Sequence, residues 1–279
     1  MKVLVTGVNG QLGFDVVREL EERNIECKGV DFEDFDITDK EETICFIKNY
    51  SPDAVIHCAA YTAVDRAEDD VENCYKVNCV GSRNIALACK EINAKIIYIS
   101  TDYVFGATGE NFIEVNDVKN PENVYGKTKL DGENEVRKIC EKYFIVRTSW
   151  VFGINGNNFV KTMRRVGQSN SEVNVVGDQI GSPTYTFDLS KLLCDMVASE
   201  KYGEYHATNE NVCSWAEFCE EIFRLSEIPC RVNKITTEQY GAKAKRPKNS
   251  RLSKKCLDDA GFMRLPTWQD ALKRYIEKL

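Results

Sequence analysis

Lys2-Val3-Leu4-Val5-Thr6-Gly7-Val8-Asn9-Gly10-Gln11-Leu12-Gly13 decides the fold. Lys2 to Thr6 reads as a short buried strand, and the glycines that follow keep the spacing GxxGxxG. Leu12, Val16, Val17 and Leu20 then recur at helical spacing, so the glycines join a strand to an amphipathic helix. Such a junction lets backbone approach a pyrophosphate, whose charge the helix N-terminus stabilises. Glycines alone would serve tight helix-strand packing equally well. In this context they point to a dinucleotide held by Gly7, Asn9, Gly10, Gln11, Leu12 and Gly13.

Outward from this stretch, Ile25 to Val30 reads as a second strand ending at Asp31. An acid there accepts hydrogen bonds from an adenosine ribose and repels a 2′-phosphate, which favours NAD over NADP. Asp34 and Asp36 compete for that role, and Asp36-Ile37 can instead lie along the adenine. Thr38 with Glu41 reads as a capping box for the next helix. Ala54 to Ala60 is a continuous apolar strand, as expected when helices cover both faces of a parallel sheet. Its small end, Ala59-Ala60 with the adjoining Tyr61, is assigned to the cofactor, while His57 within it reads as a core histidine. A long helical region from Asp69 to Glu91 and a strand from Lys95 to Ser100 continue the alternation. The expected fold class is α/β: a Rossmann-type doubly wound parallel sheet with a smaller C-terminal substrate-binding lobe.

Residues 1–150 are expected to form the dinucleotide-binding domain with the catalytic residues. Residues 151–279 are expected to form mainly the substrate lobe, with returns of the chain to the first domain allowed for. In this second part, Gln179 to Thr184 reads as a loop, and Ser214 with Glu217 as a capping box. The last helix starts from Thr267, with its aromatic side chains packed inward.

Of the 279 residues, 43% are hydrophobic and 29% charged, and no apolar run is long enough to cross a bilayer. The N-terminus enters a strand without a secretion signal, so a cytoplasmic protein is expected, with no membrane partner. A net charge of −7 gives no support to nucleic-acid binding. The twelve cysteines form no CxxC pair and read as small buried hydrophobes, so no metal site is expected. Lys243, Lys245, Arg246, Lys248 and Arg251 make one local basic run. It reads as a solvated loop or an anion site, and Pro247 in its middle favours the anion site.

The chemistry lies at the end of the Lys95 strand. There Thr101, Asp102 and Tyr103 reach the edge of the sheet where open α/β folds place ligands. Tyr125-Gly126-Lys127-Thr128-Lys129 begins a helix, and Tyr125 and Lys129 share one of its faces. An ammonium beside a phenol favours the phenolate, so Lys129 is expected to lower the pKa of Tyr125. The Thr101 hydroxyl would hold a substrate carbonyl oxygen while Tyr125 protonates it and a nicotinamide delivers hydride to the carbon.

At these residues the chain resembles the extended short-chain dehydrogenase/reductase superfamily and, within it, the dTDP-4-dehydrorhamnose reductase family. The matching stretches are Gly7 to Gly13, His57 to Glu68, Ser100 to Phe105, Tyr125 to Leu130, Arg147 to Val151, Gly156 to Phe159, Asp178 to Thr184 and Arg246 to Leu252. The resemblance implies reduction of the 4-keto group of dTDP-4-dehydro-β-L-rhamnose by NADH or NADPH, with Thr101, Tyr125 and Lys129 as the catalytic trio. It places Tyr103 and Trp150 in the sugar pocket, with Asp102, Asn158 and Arg246 along the substrate cleft. Some members are dimers joined through magnesium held by acidic side chains. Asp15 matches one such ligand, but Tyr185-Thr186-Phe187 stands where another acid is expected. No metal is therefore carried over, and monomer and homodimer both stay open. Two rival functions remain: a nucleotide-sugar epimerase or dehydratase, which returns its hydride, and a non-catalytic nucleotide-binding regulatory subunit.

Overall fold

The computed structural model describes residues 1–106 and 108–279. Its first part runs β1 (Lys2–Thr6), α1 (Gln11–Glu22), β2 (Glu26–Val30), α2 (Lys40–Tyr50), β3 (Ala54–His57), α3 (Val64–Ala67), α4 (Val71–Tyr75), a π-helical turn (Lys76–Gly81), α5 (Ser82–Glu91), β4 (Lys95–Thr101), α6 (Val124–Ile139) and β5 (Tyr143–Thr148). The second part runs β6 (Val151–Phe152), α7 (Phe159–Ser169), β7 (Glu172–Val176), β8 (Ile180–Gly181), β9 (Thr184–Tyr185), α8 (Thr186–Val197), β10 (Gly203–His206), β11 (Cys213–Ser214), α9 (Trp215–Leu225), β12 (Arg231–Ile235), α10 (Thr237–Tyr240), β13 (Asn249–Ser250), α11 (Lys255–Ala260) and α12 (Trp268–Ile276).

Six strands form one sheet in the order β10-β5-β4-β3-β1-β2, and every pairing is parallel. Because β1 pairs with β2 on one side and β3 on the other, the connections reverse between β1 and β3. That reversal opens a crevice beyond the carboxyl ends of the strands. Alternation along β1 divides the core: Val3 and Val5 pack with α1 and α8, and Leu4 packs on the opposite face with α2 and α5. The return of the chain as α8 and β10 closes that edge of the sheet. Helices α7, α9 and α12, with β6, β7, β9 and β12, enclose a separate core around Phe152, Phe218, Trp268 and Tyr275, while Leu257 of α11 packs into the core on the sheet.

Four local readings change. The cap of α2 is Asp39, whose carboxylate accepts the Glu42 amide at 2.9 Å, while the Thr38 amide is taken up by Asp36 in the preceding turn. Strand β3 ends at His57, because the Ala59 amide leaves the ladder for the Thr6 hydroxyl at 3.2 Å. The helical stretch after Asp69 is broken by the π-helical turn, from which buried Asn78 reaches across to the Tyr61 backbone. The Gln179 to Thr184 loop carries the two-residue strands β8 and β9. The Ser214 and Glu217 capping box and the Thr267 cap form as the sequence indicates.

Candidate active site

The crevice is a cavity of about 900 Å³. At one end the turn after β1 meets the segment after β3. Gly7 has φ +72°, and a Cβ there would stand 2.6 Å from the Ala59 nitrogen, so only glycine fits both the turn and the approach. Helix α1 follows with Gly10 as its N-cap and no side chain bonded to its first amides. Those free N–H groups, together with the cradle at Gly7, suit the pyrophosphate of a dinucleotide. Gly7, Asn9, Gly10, Gln11, Leu12, Gly13, Asp31, Asp36, Ile37, Ala59 and Ala60 all line this cavity. Asp31 is oriented by the loops around it, accepting the Asn9 amide at 2.8 Å and the Phe32 amide at 2.9 Å. Tyr61 is not among the lining residues: its hydroxyl turns to Asp70 at 3.1 Å.

At the other end stand Thr101, Asp102 and Tyr103 from the end of β4 and Tyr125 and Lys129 from α6. Helix α6 begins on the Asn123 side chain, which accepts the Gly126 amide at 2.7 Å, and Glu68 accepts the Val124 amide at 2.9 Å. Gly126 lets the helix close on the β4 turn, since a Cβ there would lie 2.4 Å from the Tyr103 carbonyl oxygen. One turn beyond Lys129, fully buried Glu133 accepts Ser100 Oγ at 2.6 Å and takes a two-pronged bond from buried Arg147 of β5 at 2.8 and 2.7 Å. Arg147 also reaches Glu204 of β10 at 2.5 Å, so this buried cluster fixes α6 against β4, β5 and β10.

The electrostatics correct one expectation. Burial pushes the Tyr125 phenol above its ordinary range, although the Thr101 hydroxyl pulls the other way. Lys129 is itself buried, which lowers its pKa to about 7 against the raising effect of Glu133, and its Nζ lies 4.0 Å from the centre of the Tyr98 ring. The phenol thus keeps its proton at neutral pH. The Thr101 hydroxyl donates to Asp102 Oδ1 at 2.9 Å, and Asp102 Oδ2 accepts from Ser250 of β13. Burial raises Asp102 to about 6, with these two hydroxyls and nearby backbone amides pulling down. His57 is a satisfied core residue, bonded to Thr6 at 2.8 Å and Ser82 at 3.2 Å and lowered to about 3 by burial.

On the far wall, Trp150 sits in left-handed backbone with φ +50° and stacks on Trp215 at 3.8 Å. Tyr103 meets Tyr125 edge to face at 5.5 Å. Asn158 lines the cavity, but its amide nitrogen is engaged by Gln11, Gly153 and Tyr275, and its oxygen caps α7. Arg246 stands outside the lining, behind Tyr103, with Nη2 on Asp65 at 2.6 Å. The other lysines of the basic run are paired as well: Lys243 with Asp69, Lys245 with Glu122, and Lys248 with Glu238 and Asp178. Thr62, Asn73, Lys76, Thr148 and Ser149 line the cavity without having been singled out. Of these, Thr148 and Ser149 stand next to Trp150 in a stretch the sequence did mark. Among the described residues, no group of three or more His, Cys, Asp or Glu side chains is placed to hold a metal, and Asp15 bonds the Thr186 hydroxyl.

The family model described as the RmlD substrate binding domain matches residues 1–279. The chain belongs to this family. A dTDP-4-dehydrorhamnose reductase from Aggregatibacter actinomycetemcomitans is 39% identical over 286 residues, covering 98% of this chain and 97% of that one. Among solved structures, the family member from Clostridium acetobutylicum, described as a dTDP-4-dehydrorhamnose reductase, superposes with a TM-score of 0.98 at 43% identity, covering 100% of this chain and 99% of that one. The dTDP-4-dehydrorhamnose reductase of Bacillus anthracis, solved in complex with NADP, gives 0.97 at 41% identity with the same coverage.

Proposed function

We propose that this member of the RmlD family reduces the 4-keto group of dTDP-4-dehydro-β-L-rhamnose to the alcohol of dTDP-β-L-rhamnose, using NADH or NADPH. The observation that carries the reading is one continuous cavity with an uncapped helix N-terminus and glycine turn at one end and Thr101, Tyr125 and Lys129 at the other. The reduced nicotinamide, when bound, supplies hydride to the ketone carbon. Gly7, Asn9, Gly10, Gln11, Leu12 and Gly13 hold the dinucleotide's pyrophosphate, and Asp31, Asp36, Ile37, Ala59 and Ala60 hold its adenosine end. Tyr125 gives its phenolic proton to the ketone oxygen, a task suited to a phenol that is fully protonated at neutral pH. Lys129, when protonated, stabilises the phenolate that results.

The sugar lies between Tyr103 and Trp150, and the lobe formed by the late elements covers it. Arg246 serves the diphosphate from behind Tyr103. No helix among the described residues is long and apolar enough to cross a membrane. The free cysteines suit a reducing compartment, and we assign the enzyme to the cytoplasm as a monomer or homodimer.

The test is incubation with dTDP-4-dehydro-β-L-rhamnose and either reduced cofactor, followed by stereochemically resolved product analysis. The expected result is one cofactor oxidised per dTDP-β-L-rhamnose formed. Sugar rearrangement without net cofactor oxidation would make the chain an epimerase or dehydratase; no conversion at all would favour a regulatory subunit.

A further inference from the structure

Ser250 lies 148 residues beyond Asp102, on the short strand β13, and does not line the cavity. It is nevertheless buried, and its hydroxyl bonds Asp102 Oδ2. The other carboxylate oxygen receives the Thr101 hydroxyl proton at 2.9 Å. A threonine hydroxyl has one proton, so Thr101 cannot give that proton to Asp102 and to a ketone at the same time. Its oxygen instead offers lone pairs, one of which takes the Tyr103 amide at 3.3 Å.

We propose that Ser250 is a positioning residue for the reduction: by holding Asp102 it keeps the Thr101 hydroxyl proton on that carboxylate and fixes the Thr101 side chain in the cavity wall that Tyr125 shares. This rests on the function proposed above for the same site. It changes the part expected of Thr101, whose hydroxyl proton is taken by Asp102 and is not given to the ketone oxygen. The sequence neighbours of Ser250 strengthen the placement. Asn249 Nδ2 bonds the Asn111 carbonyl at 2.8 Å, and the β13 backbone pairs with β8, whose Gly181 packs under Trp150. The segment is thus held from two sides while its serine reaches the catalytic turn.

The charged form of Asp102 is the one that accepts both hydroxyl protons. The groups facing it are the Thr101 hydroxyl and its own turn's backbone amides from β4, the Tyr103 phenol, the Tyr125 phenol of α6, and the Ser250 hydroxyl of β13. A hydrogen bond donated to a carboxylate favours ionisation, so losing the Ser250 bond must move Asp102 protonation to higher pH.

Two readouts test this on the full chain. The first needs no substrate: an infrared titration of the buried carboxyl, assigned to Asp102 by its loss in Asp102→Asn. Wild type and Ser250→Thr should ionise near pH 6, and Ser250→Ala at higher pH. An unchanged midpoint in Ser250→Ala overturns the proposal, whatever the fate of the reductase reading. The second is turnover of dTDP-4-dehydro-β-L-rhamnose. Ser250→Ala should lower kcat at neutral pH by about tenfold, with KM and the cofactor Kd near wild type. The acid limb of its kcat profile should move up with the carboxyl, and Ser250→Thr should restore both. A loss of kcat that is equal at every pH means a structural role only and contradicts the proposal. A wild-type enzyme that leaves the ketone untouched would instead fail the reductase reading, with the titration still deciding the role of Ser250.

Discussion

Arg246 donates from Nη2 to the Asp65 carboxylate across 2.6 Å, tying the late basic run to a segment 181 residues earlier in the chain. Asp65 also accepts the Ala244 amide at 3.0 Å, and Asn123, the cap of the catalytic helix, donates to the Lys245 carbonyl at 2.7 Å. The run is therefore a strap clasped to the site by acids, and Arg246 is presented at Tyr103 by Asp65. Arg246→Ala should raise KM for the nucleotide-sugar by about tenfold to a hundredfold, the loss of a charge-assisted bond of roughly 1.5 to 3 kcal/mol. Asp65→Ala should raise it less, and the double variant should resemble Arg246→Ala because the two side chains act as one unit. Steady-state kinetics with a separate cofactor Kd decides: strict additivity or an unmoved KM would count against this role.

On the proposed placing of the dinucleotide, cofactor choice turns on Asp31. Asp31 and Asp36 line the cavity where that placing puts the adenosine, and a 2′-phosphate there would meet negative charge. The wild-type enzyme should show a higher kcat/KM with NADH than with NADPH. Asp31→Ala should shift that ratio toward NADPH by about tenfold, and should also cost some activity with NADH, since the Asn9 amide loses its acceptor. A ratio that does not move would remove Asp31 from the role of ribose reader.

Lys129 makes a pH prediction whose sign follows from burial. The ammonium is disfavoured, so the proton leaves near pH 7 instead of 10.5, and the charge is present below about 7 and lost above it. In wild type, kcat/KM should fall as pH rises through 7, and this limb should be missing from the residual activity of Lys129→Met. The same shift means that the unfolded chain binds more protons than the folded one between about 7 and 10.5. Lys129 thus contributes a rise in stability with pH across that window, and Lys129→Met should flatten it. Paired pH-rate profiles and urea unfolding curves check both; a basic limb that survives in Lys129→Met would place the titration elsewhere.

Local chemistry made much of this legible in the sequence. The strand, glycine turn and helix at the N-terminus, the run of sheet strands, the catalytic helix and the Ser214 capping box each depend on residues a few positions apart. What the sequence hid depends on partners far along the chain. Nothing near Arg246 announces Asp65, and nothing near Asp102 announces Ser250. The direction of the Tyr125 shift was hidden for the same reason: spacing shows that Lys129 is on the same helical face, but burial by several elements sets the direction. Tyr61 stands in a stretch that does line the cavity, yet Asp70 takes its hydroxyl and buried Asn78 pins its backbone.

The most direct test of the central claim is Tyr125→Phe, which removes the proposed proton donor and little else. Single-turnover reduction of dTDP-4-dehydro-β-L-rhamnose should slow by roughly a hundredfold or more, while Kd for the reduced cofactor stays near wild type. Near-normal turnover in this variant would show that the ketone oxygen takes its proton from another group, and would contradict the account of the site.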